Sequence, residues 1–225
     1  MHNIVATTLA IAGTAYAAVQ GFDISHYQPN FDYNSAAASG ARFGIVKCTE
    51  GISVVDEKFS DHYNGVTNAG MYRGAYHFAR PQRSSGTDQA NFFLNYGGGW
   101  TPDGITLPGM LDLENNPGSG GQCYGLSQAS MVQWVSDFIE TYGATTGRYP
   151  MIYTTNNWWR TCTGNTGAFN QKSPLVLARY SSSAGTVPGG WPYHTIWQNS
   201  ANYAYGGDSD FFNGDENGLA RLASG

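Results

Sequence analysis

The densest chemistry in this chain is Asp112-Leu113-Glu114, which closes the apolar run TLPGMLDLE over residues 106–114. Alternate residues on a strand point to one face, which sets the two carboxyl groups ~6 to 7 Å apart along it. Carboxylates sharing a face repel, so one tends to keep its proton. A proton donor beside an ionised partner is what cleavage of a glycosidic bond requires. At an ordinary strand end the same pair is two solvated carboxylates; at the end of an apolar run it points to a site. Other polar residues fall at the ends of apolar runs in the same way: Asp23 after VQGF, Glu50 after IVKCT, His77 after GAY, Tyr153 in MIYT, Arg179 and Tyr180 in VLARY, and Gln198 in TIWQ. Barrel enzymes gather their reactive groups at the carboxyl ends of strands, so a single acidic, aromatic-lined mouth is expected.

The elements that must hold these groups are legible as β-branched and aromatic runs at 19–25, 42–50, 72–79, 106–114, 149–155, 174–180 and 194–200. Helical patterns lie between them. The clearest spans Ser127 to Gly143, where Met131, Trp134, Val135, Phe138, Ile139 and Tyr142 share a face, Ser127 caps the start and Gly143 the end. Weaker ones cover Lys58 to Ala69 and Thr87 to Tyr96. Strands alternating with helices imply a parallel sheet covered by helices, and about eight strands suggest closure into a barrel. Segments rich in Gly, Pro and Ser (181–190 and 201–207) leave no room for helices near the end, so the C-terminal third of this irregular barrel is expected to lack them. Nothing marks a second domain.

Several residues carry two readings. Tyr76, Tyr153, Tyr180 and Trp197 either stack on sugar rings, with Gln198 beside them, or fill the barrel. His77 reads as a hydrogen-bonded structural histidine as readily as a catalytic one. Glu50 and Arg179 are expected to pair inside the barrel. Trp158-Trp159-Arg160 is expected in a loop after the fifth strand, where core packing is the default and widening of a groove the alternative.

Composition bounds the function classes. With 41% hydrophobic residues the chain can bury a full core, and a formal charge of −5 without a Lys/Arg stripe argues against nucleic acid. Residues 1–18 run apolar and end in Ala15-Tyr16-Ala17, an A-x-A pattern, and are read as a secretory signal ahead of one domain over 19–225. Nothing later approaches the ~20 apolar residues of a membrane span. A secreted, extracellular monomer is expected, with neither nucleic acid nor membrane as partner. Cys123 and Cys162 sit in loop-like segments that suit a disulfide, leaving Cys48, inside FGIVKC, as a small buried hydrophobe. The histidines show no metal-binding spacing, and no serine elbow or phosphate-binding loop occurs, so neither metal nor cofactor is expected.

Taken together, GFDISHYQ (21–28), FGIVKCTEG (43–51), GAYHF (74–78), LDLE (111–114), IWQ (196–198) and GDSDFFNG (207–214) resemble glycoside hydrolase family 25, the Chalaropsis type of lysozyme, in the same order from about Val19 to the C-terminus. The resemblance implies a secreted β-1,4-N-acetylmuramidase on an irregular, TIM-like (β/α)5(β)3 barrel, acting on bacterial peptidoglycan with net retention. It implies Glu114 as general acid/base and Asp112 as the carboxylate that stabilises charge or orients the substrate N-acetyl group, with Asp23 and Asp208 completing the acidic cluster. Asp210 is the alternative to Asp208. By analogy with family 18 chitinases, the substrate acetamide is the preferred nucleophile. Two rival readings remain: a sugar-binding barrel without turnover, and a chitinase, disfavoured by Leu107 and Met110 where the chitinase D-x-x-D-x-D-x-E series has aspartates. Cys48 stands where such lysozymes commonly have alanine, which touches packing alone.

Overall fold

The computed structural model describes residues 18–116 and 120–225, so the expected secretory signal lies, but for its last residue, outside the described residues. The chain runs β1 (Val19–Ile24), α1 (Tyr33–Ala38), β2 (Phe43–Glu50), β3 (Val54–Val55), α2 (Phe59–Asn68), β4 (Tyr72–Phe78), α3 (Gly86–Asn95), β5 (Met110–Asp112), α4 (Gln128–Thr146), β6 (Met151–Thr155), α5 (Asn156–Thr163), β7 (Leu175–Ala178), β8 (Ile196–Ser200), β9 (Asp208–Phe212) and α6 (Glu216–Ser224).

Leaving aside β3, a short antiparallel flap on the end of β2, the strands close in the order β1-β2-β4-β5-β6-β7-β8-β9 and back to β1. Neighbours are parallel except β9, which is antiparallel to both β8 and β1. Five strand–helix pairs followed by three strands make the expected (β/α)5(β)3 barrel, and every anticipated strand is present.

Side-chain parity sorts the barrel into two layers. Val19, Phe43, Ile45, Met110, Met151, Val176, Ile196 and Phe212 fill the interior. Phe22, Val46, Leu111, Ile152, Leu175 and Leu177 point out against the helices. Gly21 allows this closure, because a Cβ there would overlap the Phe43 ring that occupies the interior.

Four local expectations are corrected. Helix α4 starts where predicted, with Ser127 Oγ accepting from Ser130 N at 3.1 Å, but runs past Gly143. It stops at Gly147, which takes the left-handed conformation at φ 77°. Trp158-Trp159-Arg160 lies in helix α5, capped by Thr155, not in a loop, and both indoles are buried with their Nε1–H groups on the carbonyls of Gln122 and Thr166. The C-terminal third is not helix-free: α6 follows β9, with Asp215 capping its start, and inserts Leu219 and Ala223 into the interior cluster. Glu50 does not pair with Arg179. It accepts from Lys47 Nζ at 2.6 Å and from Arg80, while Arg179 is exposed.

Cys123 and Cys162 are bonded across 39 residues, tying the loop after β5 to α5. Cys48 is free and buried, its Sγ–H on the Tyr96 carbonyl.

Candidate active site

The inward-facing residues nearest the carboxyl ends of the parallel strands line a cleft of about 320 Å³. Asp112 comes from β5 at 6% exposure, and Glu114 stands two residues on, nearer the rim and half-buried. Asp23 comes from β1, and Asp208 stands directly opposite it on β9. Gly207 makes that approach possible: it holds φ 77°, and a Cβ on it would strike the Asp23 carbonyl. Tyr76, Tyr153 and Gln198 complete the predicted residues that line the cleft.

Gln198 is the hub of this wall. Its Oε1 accepts from the hydroxyls of Tyr153 at 2.9 Å and Tyr180 at 3.0 Å, while its Nε2–H donates to Asp23 Oδ2 at 2.7 Å and Asp208 Oδ2 at 3.2 Å. Two tyrosines therefore fix the amide so that its donors face the acids. Tyr180 is itself 59% exposed on the rim.

The structure does not bring every predicted residue to the mouth. Trp197 alternates with Gln198 on β8 and so faces outward, with its indole N–H on the Arg179 carbonyl and its ring near Phe211. His77 likewise faces the helices: Nδ1 bonds to Thr49 Oγ1 at 2.8 Å, Nε2 to Gln89 Oε1 at 2.9 Å, and burial lowers its pKa to about 4. That is the structural reading of this histidine. Asp210 lies inside the barrel but does not line the cleft, so Asp208 is the acid at the mouth.

Two residues of the site escaped sequence reasoning. Lys47 lines the cleft beside Asp112, its Nζ held by Glu50 and lying over the Phe78 ring. Its signal was present: in FGIVKC, parity with Phe43 and Ile45 aims Lys47 inward. Tyr124 carried no such signal. Next to the disulfide, it is 3% exposed, adopts φ 58°, and donates its hydroxyl to the Glu114 carbonyl at 2.7 Å. A left-handed tyrosine costs about 1 to 3 kcal/mol and persists only where its surroundings over-determine it. Here the strain clamps the backbone of the candidate acid.

The electrostatics follow from crowding carboxyl groups into a partly dry cleft. Burial, then the Asp208 charge, raises Glu114 to about 7, with Lys47 pulling the other way. Burial, then the charges of Glu114 and Asp23, raises Asp112 well above the carboxylate range, and one of its oxygens has no hydrogen-bond partner among the described residues. Burial and Asp208 raise Asp23 to about 7, and burial raises Asp208. The cluster therefore holds protons near neutrality, as a general acid must. No group of His, Cys, Asp and Glu among the described residues is arranged to hold a metal ion.

Comparison with known proteins agrees with this chemistry. The family model for glycosyl hydrolases family 25 matches residues 22–208. An N,O-diacetylmuramidase from Chalaropsis sp is 57% identical over 92% of this chain and 100% of its own length. Among solved structures, a muramidase from Trichobolus zukalii superposes with a TM-score of 0.90 at 60% identity, covering 92% of this chain and 99% of its own. A family GH25 lysozyme from Aspergillus fumigatus does so with a TM-score of 0.91 at 55% identity, covering 93% and 100%.

Proposed function

Because this chain belongs to glycosyl hydrolase family 25, we propose that it is a lysozyme that hydrolyses the β-1,4 bond between N-acetylmuramic acid and N-acetylglucosamine in bacterial peptidoglycan. The observation that carries this reading is the convergence of Asp112 and Glu114 with Asp23 and Asp208 in one cleft at the carboxyl end of the barrel. A sugar-binding barrel without turnover has no use for a strained clamp on Glu114 or for carboxyl groups raised by crowding.

The geometry supports a two-step mechanism with retention. Glu114, protonated below about pH 7, delivers its proton to the glycosidic oxygen as the bond to C1 breaks. The substrate acetamide oxygen closes on C1 from the opposite face, giving a cyclic oxazolinium ion. Asp112, with one oxygen free of other partners among the described residues, accepts the acetamide N–H and so orients the acetamide oxygen toward C1. Glu114, now ionised, takes a proton from water as that water opens the ring, which restores the acid and leaves the original anomeric configuration. Asp23 and Asp208, held by Gln198, add negative potential to the oxocarbenium-like transition state. Tyr76 and Tyr153 line the floor, and Tyr180 stands at the rim.

The apolar leader ending in Ala15-Tyr16-Ala17 supports export of the chain, with residues 19–225 as the mature enzyme. No helix among the described residues is long and apolar enough to cross a membrane. The mature enzyme acts as a monomer, since one chain supplies every group of the cleft.

Digestion of purified peptidoglycan tests the function directly. Muramic acid at the new reducing ends, with the β anomer appearing first by NMR, is the expected outcome. N-acetylglucosamine at the new ends, or oligomers released from chitin while bacterial walls stay intact, would replace the muramidase reading with another glycosidase. An α anomer appearing first would overturn the retaining mechanism alone.

A further inference from the structure

Below Asp23, inside the barrel, sits a carboxyl group that the reaction never touches. Asp210 shares inward parity with Asp208 and Phe212 on β9, and its flanking partners are Gly21 on β1 and Gln198 on β8. It is 1% exposed, and its Oδ1 has no hydrogen-bond partner among the described residues. No Lys, Arg or His forms an ion pair with it among the described residues. The titratable groups that face it are Asp23 from β1 and Asp208 from its own strand, while β8 contributes only Gln198, which carries the Tyr153 and Tyr180 hydroxyls. A side-chain hydrogen bond joins Asp210 to Asp23, and two carboxyl groups make one only if a proton lies between them.

Which group owns that proton follows from Gln198. With its Oε1 taken by two tyrosine hydroxyls, its amide donates to Asp23, so Asp23 is an acceptor on that side. Once ionised, above about pH 7, Asp23 takes a second donor from below, and among the described residues Asp210 is the group placed to give it. Burial without a counter-charge favours the neutral acid at Asp210 in the same sense.

We propose that Asp210 is a positioning residue: a neutral carboxylic acid whose hydroxyl donates to Asp23, fixing that carboxylate at the mouth without adding a further negative charge to the cleft. The cleft thus gains a hydrogen-bond donor made from an acid, where a lysine would have neutralised the charge that the transition state needs. The kinetic half of this inference rests on the muramidase reading; the protonation half does not.

Three single-site variants test it. Asp210→Asn keeps the size and a donor, Asp210→Leu keeps the size without one, and Asp32→Asn removes an exposed helix-capping carboxylate, whose pKa hydrogen bonds from Ser35 lower, to give a one-charge standard. In native capillary electrophoresis at pH 8, where Asp23 has lost its proton, Asp210→Asn is expected to co-migrate with wild type while Asp32→Asn is displaced by one charge. In wall digestion at pH 6.5, where Glu114 keeps its proton, Asp210→Asn is expected to keep kcat within about threefold, and Asp210→Leu to lose roughly tenfold or more in kcat with KM little changed. Rescue by Asn but not Leu separates positioning from bulk packing. Displacement of Asp210→Asn by a full charge would show an ionised Asp210 and overturn the proposal. So would a loss of kcat in Asp210→Asn as deep as that in Asp23→Asn. Should Asp210→Leu fail to fold, electrophoresis of Asp210→Asn still decides, and it requires no substrate.

Discussion

Tyr76 and His77 are neighbours on β4, yet they open onto two different worlds. Tyr76 faces the barrel mouth, where Asp23, Asp112, Glu114 and Asp208 crowd together with one lysine among them. His77 faces the layer between sheet and helices, where both ring nitrogens have partners and the rings of Phe93 and Phe138 pack beside it. Both regions bury titratable groups, and burial disfavours the charged form in each. In the mouth, neutral means protonated, and a store of protons is held in reach of substrate. Around His77, neutral means deprotonated, and the imidazole is a fully satisfied strut. Depth of burial therefore does not separate function from structure; unmet hydrogen-bonding capacity beside open space does.

The largest expected effect lies in the mouth. Glu114→Gln preserves shape and removes the proton, so kcat should fall by ~10² to 10⁴-fold while wall-fragment binding and Tm stay near wild type. A variant keeping more than a tenth of wild-type kcat in a wall-clearing assay would move the acid role to Asp23 or Asp208. Asp112→Asn should also lose rate, through charge stabilisation and acetamide orientation.

Next is the disulfide, which joins the outer layer to the loop that clamps Glu114. Opening it by Cys123→Ser with Cys162→Ser removes a 39-residue closure, worth roughly 4 kcal/mol on the chain-entropy model. Chemical denaturation reads the stability. Because Tyr124 adjoins Cys123, kcat should fall too, and an unchanged kcat at a temperature where the variant is folded would free Glu114 from that clamp. Tyr124→Phe isolates the hydroxyl, with a loss of about threefold to tenfold in kcat expected from one hydrogen bond of roughly 1 kcal/mol.

Opposite pH slopes sharpen the contrast. The mouth carboxyls have raised folded pKa values, so their contribution to stability is fully present below the unfolded carboxylate range and is lost as pH rises through about 7 for Glu114 and Asp23. His77 runs the other way: lowered from 6.5 to about 4, its neutral form stabilises the fold above pH 6.5 and that contribution is lost as pH falls toward 4, roughly 3 kcal/mol in all. The two windows overlap between about pH 4.5 and 6.5, so the slopes oppose and partly cancel there in a Tm scan from pH 4 to 9. Across that shared window Glu114→Gln should tilt the Tm profile toward a rise with pH, and His77→Gln toward a fall with pH, the latter with kcat near wild type. A His77→Gln variant that loses kcat without losing stability would erase the distinction between the two regions. The activity profile should favour acid as well, since the Glu114 proton is lost above about 7. Smallest is Tyr180→Phe, which removes one of two hydroxyls on Gln198 at an exposed rim and should cost about threefold in kcat/KM; Tyr153→Phe, buried on the same amide, should cost more.

Much of this was readable in one dimension because the information is local. Apolar periodicity records which residues of a strand share a face, so seven of the eight barrel strands, the helix starting after Ser127 and the shared face of Asp112 and Glu114 follow from spacing alone, whereas β9 does not. Composition was enough to pair Cys123 with Cys162 and to leave Cys48 as packing. Spacing could not say which side of each strand meets the mouth. Gln198 and Asp23 touch across 175 residues only because antiparallel β9 closes the barrel between β8 and β1. The same closure seats Asp208 at the rim and Asp210 beneath it, turns Trp197 outward, and gives Glu50 to Lys47 and Arg80 instead of Arg179. Helix α6 and the strained Tyr124 belong to that class too, since each is held by contacts with distant segments. Periodicity along a strand is set by its own backbone, whereas the company a side chain keeps is set by pairing between strands, and no single segment encodes that.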